Sequence, residues 1–131
     1  MTWKYLRGPN VKATCKCGGS DVAVSLPFVF TSNVAVATGD GEHVDGVTND
    51  AMTADTDYYF YEILVPGAVW RVDKATTGAL DRGDKVAMAA ATTVDGGTAA
   101  DPAIGMVVDQ DKVTADTTVD IVILGEPATI D

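Results

Sequence analysis

Between residues 58 and 125 the chain is a series of short β-prone runs cut by glycine, proline and aspartate turns. YYFYEILV stops at Pro66-Gly67, AVWRV follows, and KVAM comes after Arg82-Gly83-Asp84; IGMVV, DQD and VDIVIL close the series. A core-facing helix repeats its apolar residues every three and four positions, and no stretch here does so. Short strands at regular spacing with turn signals between them point to a closed or nearly closed sheet. The expected fold class is all-β, a small β-barrel.

The turns carry specific chemistry. Proline presets the first corner at Pro66 and glycine is free to take a positive φ at Gly67. Residues 58–65 and 68–73 are therefore expected to form a hairpin, with Val69 and Arg71 on one face and Trp70 and Val72 on the other. Upstream, residues 21–25 alternate, residues 27–30 form an apolar cluster opened by proline, and residues 33–38 alternate again. GDGE at 39–42 is a turn signal, so residues 33–38 and 43–47 are expected to pair as a first hairpin. Residues 48–57 and 92–102 read as polar loops, and 76–84 as a loop before a strand at 85–88. Strands are expected at 104–109 and 118–124, with Gly125-Glu126-Pro127 ending the last.

Length bounds the organisation: 131 residues is one domain, with room for an appended arm. A chain of this size buries roughly two-thirds of its unfolded surface and needs no staples. Charge is distributed unevenly. Lys4, Arg7, Lys12 and Lys16 are four of nine bases, and no acid precedes Asp21. The first twenty residues carry +4; five bases and nineteen acids follow, leaving −14 on the rest and −10 overall. That leader also carries Trp3, Tyr5 and Leu6 with no sustained period. Residues 1–30 are accordingly expected to be an extended N-terminal arm and residues 31–131 the barrel domain. Exposed Trp and Tyr would be wasteful unless they bury on something. An acidic surface repels phosphate backbones and anionic lipid, so neither nucleic acid nor membrane is an expected partner. No apolar run approaches about 18 residues, and no secretion signal is expected.

Chemical equipment is sparse. Cys15-Lys16-Cys17 could supply two zinc ligands, but a structural site needs four, and His43 is the one histidine. Plain thiols, a bridge to another copy and a metal site stay open, with plain thiols the economical reading. Asp40/Glu42, Asp55/Asp57 and Asp109/Asp111 each sit in a turn, at spacings unlike a calcium loop; turn formation and solubility explain them. There is no G-x-S-x-G elbow and no phosphate-binding glycine loop. No catalytic residue, cofactor or metal is expected, and the chain does not read as an enzyme. Arg82-Gly83-Asp84 spells the tripeptide read by integrins, at a position where a turn needs a glycine. Tyr58, Tyr59, Phe60, Tyr61 and Trp70 suit a core on one face and a contact surface on the other.

The segments VDGVTNDAMTADTDYYFYEILVPGAVWRV, ALDRGDKVAM, IGMVVDQD and VDIVILGEP, taken in order over residues 44–127, resemble the head-decoration (capsid cement) proteins of tailed phages. The resemblance covers about the last two-thirds of the chain and rests on structural turns. It implies a β-barrel or β-tulip body with an extended arm, and a virion location on the outer capsid surface. It also implies the major capsid protein as partner and homo-trimers at three-fold positions. Trp3, Tyr5, Leu6, Arg7 and Lys12 are then the expected contacts to capsid or neighbour. The first thirty residues match no pattern of that family. A second class, an accessory module recognising host sugar or protein through loops 48–57 and 92–102, fits the same sequence.

Overall fold

The computed structural model describes residues 3–55, 57–125 and 128–131. Among them it has eleven strands and no helix, as an all-β reading requires. No helix is long and apolar enough to cross a membrane. The strands form two small closed sheets rather than one barrel with an arm.

The first barrel uses β2 (Val11–Cys17), β3 (Pro27–Thr31), β4 (Val34–Ala37), β5 (Gly46–Thr48) and β6 (Tyr58–Ile63). They close in the order β2-β4-β3-β5-β6. The long seam is antiparallel, β2 on β6, from Val11 opposite Ile63 to Lys16 opposite Tyr58. Alternation along β2 sends Cys15 and Cys17 inward, where they join Val22, Phe28, Ala35 and Met52. Phe28, Phe30 and Tyr61 pack edge to face, with centroids 5.2–5.6 Å apart. Gly46 lets β5 pass beneath this cluster: a Cβ there would lie 2.7 Å from the Tyr61 ring.

The second sheet uses β1 (Lys4–Arg7), β7 (Val69–Lys74), β8 (Lys85–Met88), β9 (Thr93–Asp95), β10 (Gly105–Val107) and β11 (Thr118–Ile123). Its order is β1-β7-β11-β10-β8-β9, and β9 returns to pair in parallel with the C-terminal part of β7. That return closes five strands into a ring, while β1 takes the N-terminal part of the same β7 edge. Trp70, Val72, Val86, Met88, Val94, Val107, Val119 and Ile121 fill the centre. Arg71 is exposed between buried Trp70 and Val72, as expected, while Val69, expected on the Arg71 face, is buried as well.

Two expected hairpins are differently wired. Pro66-Gly67 is a turn, with Gly67 at φ 93° and the Ala68 N–H donating to the Val65 carbonyl. Yet β6 and β7 do not pair across it. Both edges of β6 are taken by β2 and β5, so the turn carries the chain from one barrel to the other. Likewise β4 pairs not with β5 but with β3, across Ser32-Asn33. Both residues have positive φ, 50° and 67°, the backbone of a tight two-residue hairpin turn. The GDGE turn instead reaches over to the second barrel, where the Gly41 N–H donates to the Met88 carbonyl at 2.9 Å. Residues 21–25 form no strand, only a bridge from Val22 to Met52. The loop 92–102 contains β9. Glu126 and Pro127, in the last expected turn, lie outside the described residues.

The expected arm is the largest revision. Residues 4–7 and 11–17 are extended, but each is paired along its length inside a sheet. A boundary at residue 30 would fall inside β3 and separate β2 from its own barrel. The cause is backbone hydrogen bonding combined with the inward thiols and Trp3. A strand whose alternate side chains fill a core gains far more by pairing than by standing free.

Candidate functional site

The residues expected to anchor the leader have separate fates. Trp3 is 2% exposed and belongs to the second core. Its indole N–H donates to the Thr92 carbonyl at 2.9 Å, and its backbone N–H to that of Ser25 at 2.8 Å. As folded, Trp3 is a strut between the barrels, not a surface anchor. Tyr5 stacks edge-on against Trp70 at 5.8 Å and its hydroxyl donates to the Gly8 carbonyl. Leu6 sits half-buried at a slip in register between Tyr5 and Arg7. Arg7 and Lys12 are exposed and remain available for contact.

The bases divide sharply. Every one beyond residue 20 is engaged within the chain. Arg71 Nε meets Asp120 Oδ1 at 2.8 Å, Lys85 meets Asp131 at 3.3 Å, and Lys112 meets Asp109 at 3.0 Å. Arg82 Nε donates to the Asp109 carbonyl at 3.0 Å. Lys74 is buried, and its ammonium donates to the Ala75 carbonyl at 2.8 Å. Lys4, Arg7, Lys12 and Lys16, by contrast, form no ion pair among the described residues. The +4 of the leader therefore stands at the surface of β1 and β2 outside any ion pair among the described residues, with Glu62 opposite Lys12 across the β2–β6 seam.

Two of these cations stand among exposed aromatics. On the outer face of the first barrel, β2 and β6 place Lys12 opposite Glu62, Thr14 opposite Phe60 and Lys16 opposite Tyr58. Tyr58 is 67% exposed and Phe60 54%. The Lys16 ammonium lies 5.2 Å from the Tyr58 ring centroid, a cation–π contact. Beside it is a shallow depression of about 490 Å³ lined by Thr14, Lys16, Phe30, Val34 and Tyr58 among others. Sequence reasoning missed this surface. The signal was present in VKATCKC, whose period-2 alternation places Lys12, Thr14 and Lys16 on one side and Ala13, Cys15 and Cys17 on the other.

A larger cleft, about 620 Å³, has walls including Val44, Leu64, Ile104, Ile123 and Leu124. At its rim His43 Nε2 lies 3.3 Å from Asp45 Oδ1, and Asp45 Oδ2 accepts the Phe30 N–H at 2.6 Å. Among the described residues no serine, cysteine or lysine lines this cleft; Thr129 is the one hydroxyl side chain in its lining, and no hydrogen bond joins it to His43.

The remaining sequence candidates resolve into structure. Cys15 and Cys17 are free and buried, and burial pushes both thiols above the usual value of 9.0. A buried thiol in a barrel core is poorly placed to bridge to another copy. Among the described residues no group of three His, Cys, Asp or Glu is placed to hold a metal ion. The paired aspartates fasten turns. Asp55 Oδ1 accepts the Asp57 N–H and Oδ2 the Tyr59 hydroxyl, at 2.8 and 2.7 Å. Asp111 accepts the Arg82 N–H at 2.9 Å. In Arg82-Gly83-Asp84 the Asp84 carboxylate caps the Asp81 N–H at 2.8 Å while Arg82 holds Asp109. Both ends of the tripeptide are thus tied into their own turn. No protein-family model matches this chain, and no curated protein matches it.

Proposed function

We propose that this protein is a structural virion component that binds the outer surface of a tailed-phage capsid and stabilises it. The observation that supports the reading most is the division of charge. Cations in no ion pair among the described residues share one sheet face with exposed aromatic rings, on a body whose other bases are all engaged. Such a face is suited to holding a protein surface. Copies repeated over a symmetric lattice turn a modest contact per copy into a large total. The major capsid protein is the partner this reading assigns, with copies meeting around three-fold positions. In place of a detachable arm, the contact is a rigid sheet face that carries Lys12 and Lys16. Mixing the purified protein with empty shells and sedimenting the mixture tests this. Co-sedimentation in a saturable ratio, and a knob of density on imaged shells, is the expected result. Protein left in the supernatant and absent from purified particles overturns it.

The cleft favours a second reading, an accessory module that recognises host sugar or protein. Glycan-array binding without shell co-sedimentation would select it.

A further inference from the structure

The β2–β6 face has a counterpart on the other barrel of the same chain. The connection between β10 and β11 carries Val113, 64% exposed, at the start of a tight turn whose corner is Thr114-Ala115. Asp111 stands beside it, also exposed, with Oδ1 taken by the Arg82 N–H. The turn is stiff. Lys112 and Leu80 exchange backbone hydrogen bonds of 2.7 and 2.9 Å, and Asp116 accepts the Val113 N–H at 2.9 Å. Exposed Asp81 and Asp84 lie on the segment this bridge ties to it. The result is an apolar knob with carboxylates in excess around it: Asp81, Asp84, Asp111 and Asp116 stand there with exposed Arg82 and with Lys112, which Asp109 already pairs. The depression on the first barrel is the reverse: aromatic walls from Phe30 and Tyr58, with Lys16 in its lining and in no ion pair among the described residues.

We propose that the knob at Val113 of one copy docks into the depression lined by Lys16, Phe30 and Tyr58 of a second copy, beside the exposed Phe60 ring, joining copies head to tail. Charge complementarity selects this occupant. The Val113 side chain enters against Tyr58 and Phe30 with Phe60 at the rim, and Asp111 pairs with Lys16. Because knob and depression lie on different barrels, the contact is heterologous, and its repetition gives a ring where the rotation closes and a filament where it does not. A pre-stiffened knob lowers the ordering cost of docking. Net repulsion between copies of charge −10 is screened beyond about 8 Å at physiological salt, whereas the contact acts at shorter range.

The test needs no capsid, so it fails or succeeds independently of the decoration reading. Sedimentation velocity of the wild-type protein from micromolar to near-millimolar concentration should show mass rising with concentration and falling with added salt. Phe60→Ser, Lys16→Glu and Val113→Asp should each raise the dissociation constant at least about tenfold, the scale expected of a central contact. Lys16→Glu and Asp111→Lys should each be weak alone and associate when mixed, since the native Asp111 of the first variant then meets the native Lys16 of the second, and the two substituted positions meet with their signs exchanged. All are surface changes, and unchanged circular dichroism confirms the fold. Monomer at every concentration overturns the proposal. So does association that survives Val113→Asp, which would mean a face-to-face contact, or a failure of the mixed pair to recover.

Discussion

The two barrels are built from different materials for the same topological purpose. The second is filled by Val, Ile, Met and Trp, and every cation it carries beyond residue 20 is held by a carboxylate or a backbone carbonyl. The first has a smaller core of two thiols, Val22, Ala35, Met52 and an edge-to-face aromatic cluster, and leaves large rings and lysines outside. Both are closed, which removes the open edges that invite unwanted pairing. The difference teaches a division of labour. One barrel is packed for stability and has little exposed apolar surface. The other has more of its hydrophobic side chains outside than a self-sufficient domain needs. Val47, Trp3 and the Gly41–Met88 hydrogen bond tie the two together.

The largest effect should come from the shared leader. Removing residues 1–17 deletes β1 and β2, opening the first barrel and stripping half of a β7 edge from the second. The truncated chain is expected to lose cooperative thermal unfolding altogether, read by far-UV circular dichroism. A truncated chain that melts sharply would return these residues to the status of an arm.

Core deletions sharpen the comparison. Phe28→Ala in the first barrel should cost about 3–5 kcal/mol, and Ile121→Ala in the second about 2–5 kcal/mol. Both side chains are fully buried. Because Trp3 and Val47 join the cores, urea unfolding should stay a single transition in both variants, with near- and far-UV signals coincident. Separate midpoints would show two independent barrels.

The thiols give a pH-dependent difference confined to the first barrel. Burial raises Cys15 and Cys17 above the usual 9.0. Below that value both folded and unfolded chains hold the proton, and the thiols contribute no pH dependence. As pH rises past it the unfolded chain loses protons first, so stability falls until the folded thiols also ionise. Replacing both cysteines by alanine should flatten the alkaline side of the stability–pH curve. An unchanged alkaline slope would assign the loss to other groups.

The contrast also explains what was legible in the sequence. Turn chemistry located Pro66-Gly67, and β-branched runs located β7, β8, β10 and β11, because local preference and tertiary position agree there. Partners were not legible. A turn fixes a reversal of the chain but does not say which edge is already occupied, so β6–β7 and β4–β5 read as hairpins while other strands held those edges. β1 and β2 were hidden by their lysines, which on a strand mark only the outward half of an alternation. β9 was hidden by length, three residues held by parallel pairing to β7. The candidate face was half legible: its aromatics and its charge were visible as separate features, but their juxtaposition depends on the β2–β6 register.

The smallest expected effect is on stability, and it is the sharpest test of the division of labour. Phe60 and Phe28 are chemically identical side chains in the same barrel. Phe28 is closed off inside an aromatic cluster, whereas Phe60 stands 54% exposed opposite Thr14. An exposed ring removes little area from water, so Phe60→Ser should move the unfolding free energy by no more than about 0.5 kcal/mol, against the several lost at Phe28. Denaturant titration of the monomeric protein measures it. A cost at Phe60 approaching that at Phe28 would mean that the ring supports its own barrel, leaving the outer face without a surplus aromatic to offer a partner.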